Sequence, residues 1–296
     1  MSPWVAHFAN GNAFLAGAVL VLAACLAAFG QAPLASPRVR RWLLLIGVIL
    51  IALSTTPLPY WLYAVWLVLL IGWVVADRFA KSSPGRRVSS AAAAGVVVLS
   101  GIALVWEAST LHPRSQPPAH GETVYVIGDS VSAGMNEPIT ETWPAVMSHR
   151  YEANVVNLAE PGATTKSAIE QAAGIEAEAC VVVIEIGGND LLSGLPAGEF
   201  RQQLRSLLAT VCRPGRRVLM MELPLPPTYV AYGFAQRELA AEFKVGLISK
   251  REFVRVLSTS DATVDGVHLS PAGHSLMADR MWQYIEPVLP ATVASD

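Results

Sequence analysis

Four apolar runs without a charged residue occupy the first third of this 296-residue chain. They lie at residues 14–29, 42–58, 60–76 and 89–106, and none of them contains Lys, Arg, Asp or Glu. Each is close to the ~17 residues that an α-helix needs at minimum to cross the hydrocarbon core of a bilayer. The runs therefore predict a transmembrane region of about four helices within residues 1–106.

The positive charges between these runs predict their orientation. Arg38, Arg40 and Arg41 follow the first run, and four more Lys and Arg residues lie at 78–87, before the fourth run. Short loops rich in Lys and Arg stay on the cytoplasmic side of a membrane. We therefore expect a multi-pass protein of the inner cell membrane, with everything after Trp106 on the periplasmic or extracellular side.

Two other arrangements of the apolar runs are possible. The second and third runs are joined by a tight turn and could form a re-entrant hairpin, which would leave the predicted orientation unchanged. A cleaved signal peptide is the other reading of the first run. It is disfavoured because residues 1–13 carry no basic residue and the arginines follow the apolar stretch.

The rest of the chain differs in composition. Residues 107–121 include Pro113, Pro117 and Pro118 and show no apolar periodicity, which predicts an exposed, Pro-rich linker before a domain at 122–296. From residue 121 onward there are 13 basic and 21 acidic residues, whereas the whole chain has a net charge of −2. The acidic balance and the absence of a basic stripe argue against a nucleic-acid partner.

Short β-branched runs alternate with helix-like stretches after the linker. This alternation predicts a parallel sheet with helices on both faces, an α/β fold of three layers. Ligands of such sheets bind beyond the carboxyl ends of the strands. The predicted strands are 123–127, 154–158, 180–186, 217–222 and 245–249, and the predicted helices are 143–151, 165–177, 198–211, 232–243 and 270–288.

Polar residues suited to acyl transfer follow these strands. Ser130 comes after the first strand and His268 lies on the loop before the last helix. A serine hydroxyl needs a base to act as a nucleophile, and His268 is the candidate. Asp265, three residues earlier, would hold the imidazole in the right tautomer. Gly162 and Asn189 follow the second and third strands, so every candidate projects from one edge of the sheet.

Four motifs together resemble the SGNH (GDSL-type) hydrolase family: GDSVSAG at 128–134, PGATT at 161–165, GGND at 187–190 and DGVHLSPAGH at 265–274. The resemblance covers residues 121–290 and does not extend to the four apolar runs. It implies a flavodoxin-like α/β/α domain with a five-stranded parallel sheet. It also implies an oxyanion hole made of the backbone N–H groups of Ser130 and Gly162 and the side-chain amide of Asn189.

Several nearby residues are predicted to have structural roles. His274 and His149 are expected on helices, and Asp129 and Asp190 are expected to cap backbone N–H groups in their turns. No His, Cys and Asp spacing suggests a metal site, and no Gly-rich loop suggests a phosphate-binding cofactor. Cys180 and Cys212 precede neighbouring predicted strands, and a disulfide between them is left open.

The sequence thus predicts a membrane-anchored serine esterase that acts outside the cytoplasmic membrane through an acyl-serine intermediate. The substrate would be an acyl ester: a lipid, a lysophospholipid, a thioester or an acylated glycan. Apolar loops at 191–196, 223–227 and 229–234 could line an acyl pocket. Two alternatives stay open: an acyltransferase with the same triad, and a membrane scaffold with an inactive hydrolase domain. Acyl length, oligomeric state and the role of the spans also stay open.

Overall fold

A computed structural model describes residues 2–29, 36–78, 83–110, 123–135 and 141–289. These residues form two compact units. The helical unit is made almost entirely from residues 7–110, and the α/β unit almost entirely from residues 123–289. Most of the predicted linker lies outside the described residues, but the helix before it continues to Ser109, three residues beyond the predicted end.

The helical unit contains four long helices and one short one. The short helix α1 is bent by 74° from α2 at a break of a few residues. Helices α2 and α3 pack through two glycines, since a Cβ on Gly17 would lie 2.6 Å from the carbonyl oxygen of Gly47. The helices are α1 (Pro3–Ala9), α2 (Asn12–Phe29), α3 (Pro37–Leu53), α4 (Tyr60–Arg78) and α5 (Ser83–Ser109).

Two of these helices are long and apolar enough to cross a membrane, or up to three if the bent pair is one span. The two are Tyr60–Arg78 and Arg87–Ser109. By this measure the described residues contain two to three candidate spans, compared with the four expected from the sequence. Helix α3 starts with three arginines and ends at Leu53, because residues 54–59 contain Pro57 and Pro59 and are not helical. Its uncharged part of 12 residues is too short for a bilayer core about 30 Å thick.

The α/β unit is built on a five-stranded, all-parallel sheet, as predicted. The strands have the order β2-β1-β3-β4-β5. Strand β1 lies between β2 and the central strand β3, and it pairs with β3 so that Gly128 lies opposite Glu185. The strands are β1 (Val124–Gly128), β2 (Val155–Asn157), β3 (Val181–Glu185), β4 (Arg217–Met221) and β5 (Gly246–Ile248).

Helices cover both faces of this sheet and make it a three-layer structure. Tyr125 and Ile127 face one apolar cluster, whereas Val124 and Val126 face the other. Because both faces are buried, the strands are continuously apolar and do not alternate with polar residues. The helices on the first face are α8 (Thr165–Gln171), α10 (Ala197–Val211) and α11 (Val230–Glu242), and those on the second are α7 (Trp143–Arg150), α12 (Lys250–Leu257) and α13 (Pro271–Ile285).

Two short helices, α6 (Ser130–Ala133) and α9 (Gly188–Leu192), follow β1 and β3 directly. Together with α12 they were not predicted from the sequence. Helix α13 begins with Ser270 as its N-cap, whose hydroxyl accepts a hydrogen bond from the N–H of Gly273, and with Pro271 in its first turn. The helix therefore starts at the beginning of the run predicted at 270–288, as the N-cap preference of Ser and the N1 preference of Pro favour.

Cys180 and Cys212 are both free cysteines, so the disulfide left open by the sequence is not formed in the described residues. Cys180 is buried in the apolar core, and Cys212 packs against the same cluster. Burial raises the pKa of the Cys212 thiol to about 11. A thiol with so high a pKa is mostly protonated at neutral pH and therefore a weak nucleophile.

Candidate active site

The candidate nucleophile Ser130 is the first residue of helix α6, and only Asp129 separates it from the end of β1. Asp129 is the N-cap of this helix, and its Oδ1 accepts a hydrogen bond from the N–H of Val131 at 3.0 Å. The side chain of Asp129 is buried, whereas Ser130 is only partly buried. The sharp turn from strand to helix therefore presents the serine at the carboxyl end of the strand, and Asp129 caps the turn as predicted.

A glutamine side chain holds the end of β1 just before this turn. Gln171 Oε1 accepts a hydrogen bond from the N–H of Gly128, and its Nε2 donates to the carbonyl of Gly128, each at 3.0 Å. The side chain thus satisfies both backbone polar groups of the last strand residue, which would otherwise be costly to bury. Sequence reasoning missed Gln171, because this contact depends on how α8 packs on the sheet.

The two other candidate oxyanion donors lie on neighbouring loops. Gly162 has a φ of +78°, a left-handed conformation that favours glycine, while a Cβ there would meet no atom within 4 Å. Asn189 Nδ2 donates to the carbonyl of Ala163 at 3.0 Å and to Asp129 Oδ2 at 3.2 Å. The amide of Asn189 therefore links the loop that carries Gly162 to the turn that carries Ser130.

Asp265 and His268 form a hydrogen-bonded pair on the loop before α13. Asp265 Oδ2 lies 2.6 Å from His268 Nδ1, and Asp265 Oδ1 accepts from the backbone N–H groups of His268 and Val267. The hydrogen bond from the imidazole and these two N–H groups lower the pKa of Asp265 to about 2. An ionised Asp265 keeps the proton on Nδ1 and leaves Nε2 of a neutral imidazole as a base.

The His268 loop and the Ser130 turn lie at the same edge of the sheet. Burial raises the pKa of Asp129, and a charge on His268 acts in the opposite direction and lowers it. Trp143 connects the two segments, because its Nε1 donates to the Ser132 hydroxyl on α6 and its N–H donates to His274 Nδ1 in the first turn of α13. Among the described residues, no hydrogen bond joins the Ser130 hydroxyl to the His268 imidazole. The structure therefore does not contain this predicted contact.

The other histidines of the α/β unit have structural environments, as predicted. His274 is buried, its Nδ1 accepts a hydrogen bond from the N–H of Trp143 at 3.2 Å, and burial lowers its pKa to about 4. His149 is exposed and pairs with Glu141 at 3.0 Å. Both therefore have partners other than Ser130, and His268 stays the candidate base.

Asp190, beside Asn189, holds the start of α8. Its Oδ2 accepts hydrogen bonds from the N–H of Thr165 at 2.8 Å and from the hydroxyl of Thr165 at 3.1 Å. Burial raises the pKa of Asp190, and the bonds from Thr165 oppose that shift. This is the capping role that the sequence predicted for Asp190.

Four exposed, large apolar side chains lie near the candidate residues along the chain. They are the complete set for the described residues 123–289: Met135, Leu192, Val264 and Val267. Each lies within five residues of Ser130, Asn189 or His268 along the chain. We call these four residues the apolar rim. No group of three or more His, Cys, Asp or Glu suited to a metal ion occurs in the described part of the chain.

Comparisons with known proteins agree with this arrangement. Residues 126–276 match the GDSL-like Lipase/Acylhydrolase family. Esterase TesA of Pseudomonas aeruginosa is 28% identical over 185 residues, which are 58% of this chain and 91% of that protein. Thioesterase 1/protease 1/lysophospholipase L1 of Escherichia coli (strain K12) is 27% identical over 180 residues, which are 58% of this chain and 86% of that protein.

The fold is also similar to a solved structure. A crystal structure of TesA matches with a TM-score of 0.50 and 27% identity, over 56% of this chain and 99% of that one. The family match covers just over half of the chain and includes Ser130, Gly162, Asn189, Asp265 and His268. The chain belongs to the GDSL-like lipase/acylhydrolase family and is a serine ester hydrolase of the SGNH type.

Proposed function

We propose that this protein is a membrane-anchored esterase in which Ser130, His268 and Asp265 form the catalytic triad. Ser130 Oγ attacks the acyl carbonyl while His268 Nε2 takes the hydroxyl proton, and Asp265 stabilises the imidazolium that forms. The tetrahedral intermediate collapses when the imidazolium protonates the departing alcohol or thiol. Water, deprotonated by His268, then releases the acid from the acyl-serine.

The oxyanion of each tetrahedral intermediate would be bound by the backbone N–H groups of Ser130 and Gly162 and by the amide of Asn189. The observation that carries the proposal is the position of Asn189, whose Nδ2 reaches both the Ser130 turn and the Gly162 loop. Both N–H groups of this amide are already engaged. One of them must turn to the oxyanion, and the 3.2 Å bond to Asp129 is the longer of the two.

The apolar rim supports a substrate with an apolar acyl group. Leu192 is 78% exposed and lies three residues after Asn189, and Val267 is next to His268. Binding of an acyl chain that covers an exposed apolar side chain is favoured by about 25 cal/mol per Å² of apolar surface buried. Esters of medium or long acyl chains are therefore the proposed substrates, ahead of acetyl esters.

The helical unit supports the proposed anchoring and orientation. Two of its helices could span a membrane by length and composition. Arg40 at the start of α3 forms an ion pair with Asp77 at the end of α4, so the two segments rich in basic residues lie at the same end of the unit. The positive-inside rule assigns that end to the cytoplasm and the catalytic residues to the opposite side.

The activity is tested with purified full-length protein and nitrophenyl esters of increasing acyl length. Wild type is expected to release nitrophenol and free acid, and Ser130→Ala to lose at least about 1,000-fold in kcat. Ser206→Ala changes an exposed serine on α10, whose hydroxyl bonds to the carbonyl of Gln202, and serves as the serine control. Full activity of Ser130→Ala would contradict the proposal, and a new ester formed with an added alcohol would identify an acyltransferase.

The location is tested separately with reporters fused after residue 289. Alkaline phosphatase, which needs an oxidising compartment for its disulfides, is expected to be active in that fusion. A cytoplasmic fluorescent reporter at the same position is expected to be dark. The reverse pattern would contradict the orientation without affecting the catalytic assignment.

A further inference from the structure

A second buried carboxyl group lies behind the nucleophile and has no part in the triad. Glu185 is the last residue of β3, is only 2% exposed and lies opposite Gly128 in the sheet register. Its Oε2 accepts a hydrogen bond from the Ser132 hydroxyl at 2.9 Å. The Ser132 hydroxyl in turn accepts one from Trp143 Nε1 at 3.1 Å. Glu185 is therefore held in a fixed position under helix α6.

The Asp129 carboxyl group is the neighbour of Glu185: Asp129 follows Gly128, the residue opposite Glu185 in the register, and both carboxyl groups bind the first turn of α6, through Val131 and Ser132. Two adjacent buried carboxyl groups cannot both be ionised at ordinary pH, so the pair holds a proton. Burial raises the pKa of Glu185 well above its usual value, and the charge of Asp129 raises it further. Burial also raises the pKa of Asp129, but the N–H of Val131 and a charge on His268 counteract that.

These neighbours decide which of the two groups carries the proton. The titratable neighbour of Glu185 is Asp129, on the turn between β1 and α6. Its polar neighbour is Ser132, on α6. Asp129 faces Asp190 and His268 in addition to Glu185. The carboxylate form of Asp129 accepts hydrogen bonds from Val131 and Asn189, whereas Glu185 lacks any cationic neighbour among these groups. The proton therefore resides on Glu185.

We propose that Glu185 is a positioning residue of the active site. Its protonated carboxyl group donates a hydrogen bond to Asp129. This bond weakens the hydrogen bond that Asp129 Oδ2 accepts from the Asn189 amide. The inference rests on the proposed oxyanion role of Asn189. A carboxylate that already accepts a strong hydrogen bond attracts the amide less. The amide is then free to turn to the oxyanion when a tetrahedral intermediate forms.

Loss of this proton reverses the effect. An ionised Glu185 would no longer donate a hydrogen bond to Asp129. The carboxylate of Asp129 would then bind the Asn189 amide more strongly. The oxyanion would lose one donor, so kcat would fall while KM stayed nearly constant. The wild-type enzyme is therefore expected to lose kcat on the alkaline side of its pH profile.

The substitution Glu185→Gln tests this directly, because the amide can still donate to Asp129 and accept from Ser132 but does not ionise. We expect kcat within about 3-fold of wild type at neutral pH and no alkaline fall, with the acid side unchanged. Glu222→Gln is the matched control. Glu222 is equally buried at the end of β4, but the charges of Arg237 and Lys250 outweigh burial and lower its pKa. Its variant should keep the alkaline fall, and an alkaline fall retained in Glu185→Gln would overturn the proposal.

A double-mutant cycle separates positioning from general stabilisation. Glu185→Leu is expected to lower kcat about 10-fold or more in the wild-type background and less than about 3-fold when Asn189 is already alanine. Equal losses in both backgrounds would show that Glu185 acts on the fold alone and would overturn the proposal.

An infrared measurement tests the proton without any catalytic readout. The difference spectrum of wild type minus Glu185→Gln at neutral pH should contain the stretching band of a protonated carboxyl group. Its absence would show that Glu185 is ionised and would overturn the inference. This outcome is distinguishable from a failure of the proposed triad, which Ser130→Ala tests.

Discussion

The two units of this protein distribute apolar residues in opposite ways. Among the described residues, those between 7 and 110 carry 21 exposed large apolar side chains, whereas those between 123 and 289 carry only the four of the apolar rim. In the helical unit the helices meet through small residues, with the backbones at Gly17 and Gly47 almost in contact. In the α/β unit large side chains such as Phe200 and Trp143 fill the core.

Large apolar residues thus lie on the surface of the helical unit and in the core of the α/β unit. A lipid environment gives no hydrophobic drive to bury Leu or Val, so small residues that permit close approach determine how helices pack there. In water, burial of apolar surface drives folding, and an exposed apolar residue signals a binding surface. The exposed apolar residues of the α/β unit are accordingly confined to the loops of the candidate active site.

The largest effect in this comparison is expected for the kcat of a variant at Asn189, in the α/β unit. Asn189→Ala removes one oxyanion donor and is expected to lower kcat by ~100- to 1,000-fold with little change in KM. The nearby exposed Ser193→Ala is the control, because its hydroxyl bonds only to the carbonyl of Asp190. Steady-state kinetics with a nitrophenyl ester measure both. A loss confined to KM would assign Asn189 to substrate binding and not to the oxyanion.

A matched pair of lysine substitutions tests the contrast between the two surfaces. Val68 is 68% exposed at the middle of α4, and Leu192 is 78% exposed in the apolar rim. If α4 lies in a bilayer, Val68→Lys should disfavour its insertion by ~2.5 to 3.5 kcal/mol, as measured with a membrane-insertion assay of that segment. Leu192→Lys should change the unfolding free energy of the α/β unit by less than about 0.5 kcal/mol. Equal effects at the two positions would refute the contrast.

The buried His274 predicts an acid-sensitive α/β unit. Its pKa is lowered by burial to about 4, below the value of 6.5 in the unfolded chain. The unfolded state therefore binds more protons between these values, so stability decreases as pH falls from 6.5 towards 4. The expected loss is about 2 kcal/mol at pH 5 relative to pH 7. Thermal unfolding of wild type and His274→Gln at both pH values measures it.

In His274→Gln the pH dependence of stability should be smaller by that amount, while the acid side of the kcat profile should stay in place because His268 is unchanged. His149→Gln is the matched histidine control, since His149 is exposed. An unchanged slope of stability against pH in His274→Gln would contradict the assignment.

The smallest expected effect concerns helix packing. Gly47→Ala introduces a Cβ 2.8 Å from the carbonyl oxygen of Gly17 and should destabilise the helical unit by about 1 kcal/mol or more. Gly72→Ala is the control, because a Cβ there meets no atom within 4 Å. Denaturation in detergent compares the two. Equal stability of both variants would show that the close approach of α2 and α3 is not needed.

Much of the α/β fold could be predicted because strands buried on both faces have a distinctive sequence. The run Val181–Glu185 is continuously apolar up to its last residue and lies between two amphipathic helices. Helix α12 was missed because it follows β5 directly and has four charged residues in eight, Lys250, Arg251, Glu252 and Arg255. The apolar run at 42–58 extends beyond helix α3, which ends at Leu53, before Pro57.

The candidate site could be predicted only in part. Ser130, Asn189 and the Asp265–His268 pair belong to motifs with recognisable spacing. Gln171 and Glu185 contact the Ser130 turn through the packing of α8 and the register of β3 against β1, and neither contact has a local sequence signal. Residues that support a site from neighbouring elements therefore need the structure to be identified.

The central claim is that the hydroxyl of Ser130 and the imidazole of His268 act together. Its most direct test is the rate at which a fluorophosphonate modifies the full-length protein, with the adduct located by mass spectrometry. The account predicts an adduct on Ser130, and a rate of its formation that is lower by at least about 100-fold in His268→Ala. Modification of another residue, or an unchanged rate in His268→Ala, would contradict it.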